Sequence, residues 1–342
     1  MGAQDLIDWM TFSGKCVGGL VGVVLILLYK YQDNLLYHPV IPNMPKTPDE
    51  NPKGYKSPGE WTTEGHWART GENSIKFETA LVETSDGERI HTWLMLQEGS
   101  ENLPTLIYFH GNAANMGFRL PKSKDIFALA GVNILMMDYR GYGSSTGIPS
   151  EQGLNEDASA VLKFAVAHPK LKNSKIVLFG DSLGGAVCVS LAHRHPDKVH
   201  FLILENTFTS ISAMVDKIFP FIAPLKGLVL RIKWDSIEKI GSLAQPILFI
   251  SGDSDELVPP QHMKDLFDAA AKSAGRDFYS VNGGTHNDSF ERAGPHNFCA
   301  RVKKFLFGAE AQTTSRTMPK AQAAGGNDGS KLTTAEILPN VY

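Results

Sequence analysis

The chain has little cysteine. Its 342 residues include only Cys16, Cys188 and Cys299, which are widely separated and form no C-x-x-C pair. Disulfide frameworks and structural zinc sites need cysteines in closely spaced sets. The sequence therefore excludes both kinds of site, and its scattered thiols favour a reducing compartment.

The chain also lacks an excess of charge of either sign. Its formal net charge is -3, and charged residues make up 20% of the sequence. A nearly neutral chain has no overall attraction to polyanions, so nucleic acid is not expected as a partner. The hydrophobic share of 42% is ordinary for a globular protein.

Charge is absent altogether over residues 16–29, the densest part of an apolar segment that covers residues 9–29. About 20 apolar residues are needed to span a bilayer. We therefore predict a transmembrane anchor at 9–29 that follows a short flank, residues 1–8. A cleaved signal peptide is the alternative, but residues 29–37 offer no small-residue cleavage site.

The segments on either side of the central region have few apolar residues. Residues 30–76 contain many prolines and glycines and are expected to run extended over the surface. Residues 309–342 are polar without a hydrophobic period and are expected to be disordered. The folded domain is therefore assigned to residues 77–308.

Within residues 77–308, short apolar runs alternate with longer helical patterns. This alternation predicts an α/β fold with a mostly parallel sheet covered on both faces by helices. Asp86-Gly87 is a hairpin signal, so the first two strands are expected to be antiparallel. The predicted strands are 77–82, 90–96, 105–109, 133–137, 175–179, 200–204, 246–250 and 277–281, and the predicted helices are 116–130, 151–168, 183–194 and 261–274.

Gly180-Asp181-Ser182-Leu183-Gly184 fits the pattern G-x-S-x-G. It lies where a predicted strand ends and a predicted helix begins. There the flanking glycines permit a sharp turn that exposes the serine hydroxyl. Ser182 is the candidate nucleophile.

A serine hydroxyl needs a base within hydrogen-bonding reach and an acid that orients the base. Two later loops supply them, because Asp255 follows the strand 246–250 and His286 follows the strand 277–281. Asp253 is the alternative acid, although an aspartate at that position is more often a turn former.

The second requirement is a pair of amides for a developing oxyanion. The amide of Leu183 directly follows the serine. In His110-Gly111-Asn112-Ala113, after the strand 105–109, the amide of Asn112 is the second candidate donor, and that of Ala113 is the fallback.

Several motifs in this order resemble those of the α/β-hydrolase superfamily. The leader, an apolar span followed by Leu35-Leu36-Tyr37-His38-Pro39, is similar to the membrane-anchored branch of the bud-emergence and wavy-growth type. The resemblance implies an eight-stranded sheet, no cofactor, and hydrolysis of esters or thioesters through an acyl-enzyme. The motifs are residues 109–112, 138–145, 180–185 and 205–208, together with the loops of Asp255 and His286.

An insertion at 206–245 is expected to form a small helical lid. Its apolar side chains either line an acyl-chain pocket or pack the lid onto the sheet. The expected substrate is an acyl-bearing small molecule, a lipid or a lipidated protein. A hydrolase-fold scaffold without activity and a serine peptidase are the alternatives.

Lysines are more frequent after the apolar span than before it, which favours a cytoplasmic catalytic domain. The sequon Asn287-Asp288-Ser289 agrees, because a glycan directly after His286 would obstruct the site. We therefore expect a single-pass protein of the plasma membrane or an endomembrane.

Overall fold

A single mixed sheet organises the computed structural model, which describes residues 3–65, 73–220 and 223–308. In this described part the sheet has eight strands in the order β1-β2-β4-β3-β5-β6-β7-β8. The strands are β1 Phe77–Glu83, β2 Arg89–Met95, β3 Thr105–Phe109, β4 Asn133–Met137, β5 Ile176–Asp181, β6 Phe201–Glu205, β7 Ile247–Gly252 and β8 Arg276–Val281.

Helices connect and cover these strands. The long helix before the sheet is α1, and a 3₁₀ turn at Met116–Arg119 and a π-helical turn at Ile126–Ala130 flank α2. The helices are α1 Ala3–Leu36, α2 Leu120–Asp125, α3 Glu151–Ala167, α4 Leu183–Arg194, α5 Ile211–Ile218, α6 Lys226–Val229, α7 Ser236–Ile240, α8 Pro260–Ala269, α9 Ser289–Ala293 and α10 Pro295–Phe307.

The pairing of the strands changes from antiparallel to parallel across the sheet. Strand β2 pairs antiparallel with β1 and with β4, whereas every later pair is parallel. The β1–β2 turn contains Gly87 at φ +87°, a conformation that glycine adopts without strain. The predicted α/β fold and its antiparallel start are confirmed.

The core has two layers, one on each face of the sheet. Helices α3, α4, α7 and α8 pack on one face, and α2, α9 and α10 pack on the other. Strands β3, β4 and β7 are buried along their whole length because helices cover both their faces. This explains why their sequences are continuous apolar runs instead of alternating ones.

The N-terminal helix is longer than the sequence indicates. It continues to Leu36, so the first residues of the predicted extended segment 30–76 are helical. Within it, Asp8–Leu36 is long and apolar enough to cross a membrane by length and composition. Large apolar side chains along it, such as Phe12 and Ile26, are exposed.

The segment that follows α1 packs into the domain. Tyr37 and Trp61 are buried, and the side chains of Asn51 and Asn115 exchange hydrogen bonds of 2.8 and 3.1 Å. A segment rich in proline and glycine can thus be ordered by tertiary contacts that its composition does not reveal. The predicted tail, residues 309–342, lies outside the described residues.

Helix α8 ends at Ala269, before the predicted end at residue 274. The insertion 206–245 contains α5, α6 and α7, of which α7 belongs to a main helical layer through its buried Ile240. Phe221 and Ile222, two of the predicted lid residues, lie outside the described residues.

Helix α4 packs very closely on β3. A Cβ atom at Gly184 would lie 1.9 Å from the carbonyl oxygen of Phe109, and one at Gly185 would lie 2.5 Å from the Thr207 side chain. Such contacts cannot be relieved without moving backbone. The glycines therefore set the distance between α4 and the sheet.

We expect Gly184→Ala to lower the free energy of unfolding by about 3 kcal/mol or more, since the added methyl overpacks this contact. Gly227→Ala, on α6, is the matched control, because no atom lies within 4 Å of its added Cβ. Chemical denaturation of the full chain in detergent measures both. Equal midpoints for the two variants would contradict the close-packing account.

Candidate active site

Ser182 lies at a strained turn between β5 and α4. Its φ is +50° and its ψ is -118°, a conformation that residues with a side chain rarely adopt. Its amide donates to the Glu205 carbonyl at 2.9 Å, and its carbonyl accepts from the Thr207 hydroxyl at 2.6 Å. Strand β6 therefore holds the turn from one side.

Glycine makes this turn possible. A Cβ at Gly180 would lie 2.2 Å from the Gly184 carbonyl oxygen. The chain thus reverses from strand to helix within a space that admits no side chain at position 180 or 184, two residues before and two residues after Ser182.

The structure brings Ser182, His286 and Asp255 together. His286 Nε2 lies 3.0 Å from Ser182 Oγ, and His286 Nδ1 lies 2.8 Å from Asp255 Oδ2. The other oxygen of Asp255 accepts from the amides of Leu257 at 3.0 Å and Val258 at 2.8 Å. These bonds fix a buried carboxylate so that one oxygen faces the imidazole, as a nucleophile–base–acid arrangement requires.

Asp253, the alternative acid, holds a neighbouring loop. Its carboxylate accepts from the amide of Gly283 at 2.8 Å and the hydroxyl of Ser254 at 3.0 Å. Its amide donates to the Val281 carbonyl at 3.1 Å. These contacts link the end of β7 to the turn after β8, and the contact with His286 is made by Asp255.

Asn206 connects the loops of the site, a role that the sequence did not indicate. Its Oδ1 accepts from the Gly252 amide at 2.8 Å. Its Nδ2 lies 3.1 Å from the Thr285 carbonyl, 3.2 Å from the His286 carbonyl and 2.9 Å from the Ser289 hydroxyl. One side chain therefore ties the end of β7 to the loop that carries the imidazole. The sequence feature that could have indicated this role is the position of the asparagine directly after a buried strand.

The candidate oxyanion donors lie beside the serine. Asn112 and Ala113 line the same cavity as Ser182 and His286. Within the part of the chain that the structure describes, the amides of Leu183, Asn112 and Ala113 donate no hydrogen bond. None of the three amides is committed to another acceptor there, so Leu183, Asn112 and its fallback Ala113 remain candidates.

The loop of Asn112 is held from the N-terminal segment. The Asn112 carbonyl accepts from the His38 amide at 2.9 Å and from the Tyr142 hydroxyl at 2.8 Å. Its side chain donates to the Leu36 carbonyl at 2.9 Å. The end of α1 therefore positions a candidate oxyanion donor, which the sequence did not predict.

Beneath this loop lies His110, which is buried and away from the cavity. Burial lowers the pKa of His110 to about 4 and raises the pKa of Asp138 to about 7. The Asp138 carboxyl accepts from the Met116 amide at 2.6 Å. The two side chains thus support the loop from below, and His110 is not placed to act on Ser182.

The cavity over Ser182 has a volume of about 260 Å³ and a charged wall. Lys122 pairs with Glu205, and the Tyr108 hydroxyl donates to Asp181 at 2.8 Å. Burial raises the pKa of Glu205, and Lys122 opposes that rise. Arg119 and Glu291 also line the cavity.

The described residues of the lid do not line this cavity. Ile211, Met214 and Ile218 instead line a separate cavity against α1. The expectation that the lid lines an acyl pocket over the serine is therefore not met by its described residues. A larger groove of about 790 Å³, between β1 and α3, contains none of the three residues Ser182, His286 and Asp255.

A mostly parallel eight-stranded sheet with a serine at the sharp turn after β5 defines the α/β-hydrolase class. The chain belongs to this family. It is 36% identical over 289 residues to the protein bem46 of Schizosaccharomyces pombe. This alignment covers 84% of this chain and 90% of bem46. The α/β-hydrolase domain-containing protein WAV2 of Arabidopsis thaliana is also 36% identical, over 81% of this chain and 88% of that protein.

A further relative is the uncharacterized membrane protein YNL320W of Saccharomyces cerevisiae, 32% identical over 82% of this chain and 93% of its own. A family model described as serine aminopeptidase, S33, matches residues 100–241. That match includes Ser182 and ends before Asp255 and His286.

Solved structures agree with the fold. The Pyrococcus furiosus esterase Pf2001 superposes with a TM-score of 0.57 at 17% identity, over 68% of this chain and 90% of that chain. Est1E from Butyrivibrio proteoclasticus, solved with ferulic acid bound, gives a TM-score of 0.55 at 18% identity, over 68% of this chain and 99% of its own.

We expect Asn206→Asp to lower the free energy of unfolding by about 2–4 kcal/mol, because an oxygen would replace the donor that faces two carbonyls. The variant keeps the Oδ1 acceptor and tolerates the φ of +46°. Turnover should fall as well, since the loops that carry His286 and Asp255 lose their connection.

Asn297→Asp is the matched control, because among the described residues the exposed Asn297 of α10 donates only to the carbonyl of Ala293, the last residue of α9. Thermal unfolding and turnover of an activated ester measure both variants. If the two changes shift stability equally, Asn206 does not connect the loops as described.

Proposed function

We propose that this protein is a membrane-anchored serine hydrolase that cleaves an acyl ester or thioester through an acyl-enzyme on Ser182. The observation that carries the proposal is the relay from Asp255 through His286 to Ser182, with contacts of 2.8 and 3.0 Å. Both contacts are short enough for proton transfer and for fixing the imidazole tautomer.

In the first half-reaction His286 Nε2 takes the hydroxyl proton of Ser182 as Oγ attacks the carbonyl carbon. The amides of Leu183 and Asn112 donate to the oxygen that becomes negative. Collapse of the tetrahedral intermediate breaks the bond to the alcohol or thiol, which leaves with the proton from His286.

In the second half-reaction water attacks the acyl group on Ser182 and gives a proton to His286. The carboxylic acid then leaves, and the proton returns to Ser182 Oγ. Asp255 stabilises the imidazolium that forms in both steps and keeps Nδ1 protonated.

The site itself favours a compact substrate with a polar group near the scissile bond. The cavity of about 260 Å³ carries Arg119 and Lys122 as well as carboxylates on its wall. A charged wall in a small cavity disfavours a long apolar chain at this place, because charged groups lose hydration when an alkyl chain covers them.

Membrane anchoring through α1 is the second part of the proposal. It is supported by the apolar stretch Asp8–Leu36 with its exposed side chains. A relative of similar length is described as a membrane protein. The excess of lysine after the span favours a catalytic domain on the cytoplasmic side.

Aminopeptidase activity is a second candidate. It is favoured by the matching family model and by the carboxylates of Asp181 and Glu291 on the cavity wall, which suit a substrate ammonium group. Comparing aminoacyl arylamides with acyl esters of equal size separates the two candidates: faster cleavage of the arylamides would replace the esterase proposal.

A fluorophosphonate probe tests the nucleophile. We expect the detergent-solubilised full chain to be labelled once, and Ser182→Ala to remain unlabelled while it unfolds at the same temperature as the wild type. Ser254, an exposed serine beside the acid, provides the matched control Ser254→Ala, which should be labelled normally. A folded wild-type protein that is not labelled would favour the scaffold alternative.

The assignment of Asp255 as the acid is tested by making the same substitution, aspartate to asparagine, at Asp255 and at Asp253 in the same loop. Asp255→Asn should lower kcat by roughly 10²- to 10⁴-fold, because the amide no longer stabilises the imidazolium or fixes its tautomer. Asp253→Asn should change kcat little, since its oxygen still accepts from Gly283. Steady-state kinetics on an activated ester compare them, and equal losses would remove the distinction between the two aspartates.

A further inference from the structure

A second cavity, of about 320 Å³, lies between the last turns of α1 and the lid helices α5 and α6. Leu28 and Leu35 line it from α1, and Met214, Val215 and Val229 line it from the lid. It shares no described lining residue with the cavity over Ser182. It is therefore not the place where the scissile bond would be held.

The wall of this cavity offers no free hydrogen-bonding side chain among its described residues. Gln32 is the single polar side chain in the described lining. Its Oε1 accepts from the amides of Arg231 at 2.8 Å and Ile232 at 2.9 Å, and its Nε2 lies 2.9 Å from the Tyr29 carbonyl and 3.1 Å from the Val229 carbonyl. Water needs polar partners in a cavity, so this one suits an apolar occupant.

The position of the cavity along α1 indicates the source of that occupant. The stretch Asp8–Leu36 has 29 residues. At about 1.5 Å per residue it exceeds the ~30 Å hydrocarbon core of a bilayer, so its last turns reach the interface. The charge-free part ends at Tyr29, one residue after Leu28, and Lys30 and Asp33 follow it.

Exposed apolar side chains reach the cavity from both of its sides. Leu35 on α1 is 61% exposed and Ile218 on α5 is 45% exposed. These two side chains continue the apolar surface of the helix to the cavity wall, and the ion pair of Arg231 with Asp33 lies beside the lining residues Gln32 and Ile232. Exposed apolar surface of this kind is typical of membrane contact.

We propose that this cavity binds one acyl chain of a phospholipid from the leaflet at which α1 leaves the bilayer. The proposal rests on the anchoring part of the proposed function and is independent of the chemistry at Ser182. The acyl chain enters between α1 and α5.

The test uses the full chain reconstituted in phosphatidylcholine vesicles that contain a phosphatidylcholine with a diazirine in the middle of one acyl chain. After irradiation, mass spectrometry maps the adducts. We expect adducts on the cavity residues Met214 and Val215 in addition to the exposed residues of α1, such as Ile26.

Val215→Trp fills the cavity and should reduce adducts on α5 by at least about tenfold, equivalent to ~1.4 kcal/mol of binding. Lys217→Trp adds the same indole to an exposed position of α5 outside the cavity lining, and it should leave those adducts unchanged. Thermal unfolding checks that both variants are folded. The adducts on wild-type α5 show whether an acyl chain enters the cavity even if either variant fails to fold.

Adducts on α1 without adducts on α5 would overturn the cavity proposal and leave anchoring intact. Equal labelling of Val215→Trp and Lys217→Trp would overturn it too. A chain that does not remain with the vesicles would overturn anchoring and this proposal together, whereas reaction of Ser182 with a fluorophosphonate probe would be unaffected.

Discussion

The close contact of α4 with β3 and β5 is the constraint on which the site depends. Gly180 and Gly184 meet at a distance that admits no Cβ, and Gly184 lies against the carbonyl of Phe109. This packing holds Ser182 at a positive φ, which no local preference of serine would select. The strain is localised at the residue whose hydroxyl, in the proposed mechanism, must stand clear of the backbone to attack a carbonyl carbon and then to regain its proton.

The remaining parts of the site are placed relative to this turn by side chains instead of by the sheet alone. Thr207 bonds the Ser182 carbonyl, and Asn206 joins the end of β7 to the loop of His286. Both residues follow β6, so one strand end organises the serine, the acid loop and the base loop. A buried asparagine with all these partners is costly to replace, because each unpaired group would lose its hydration without compensation.

The fold was predictable because its central strands are continuous apolar runs and its turn signals are local. The pattern around Ser182 and the order of Asp255 and His286 depend on short segments that the sequence displays directly. Asn206 was not predictable, since its importance lies in partners that are distant in the chain. The docking of the segment after α1 escaped prediction for the same reason: the contact between Asn51 and Asn115 exists only in the folded state.

The N-terminal helix is integrated with the domain more closely than a tether would be. Gln32 bonds the lid backbone, and the Leu36 carbonyl accepts from Asn112, which lines the cavity over Ser182. Helix α1, the lid and the candidate oxyanion loop are therefore connected by hydrogen bonds. If α1 is anchored as proposed, a change in its position would reach the site through the bonds of Leu36 and His38 to Asn112.

The central claim is that Ser182 carries the acyl group, and an acid quench during turnover tests it most directly. The full chain is mixed with an activated short-chain ester, quenched within the first turnover, digested and analysed by mass spectrometry. The account predicts an acyl adduct on Ser182 whose amount matches the burst of released alcohol. Turnover without any adduct on Ser182, or with the adduct on another residue, would contradict it.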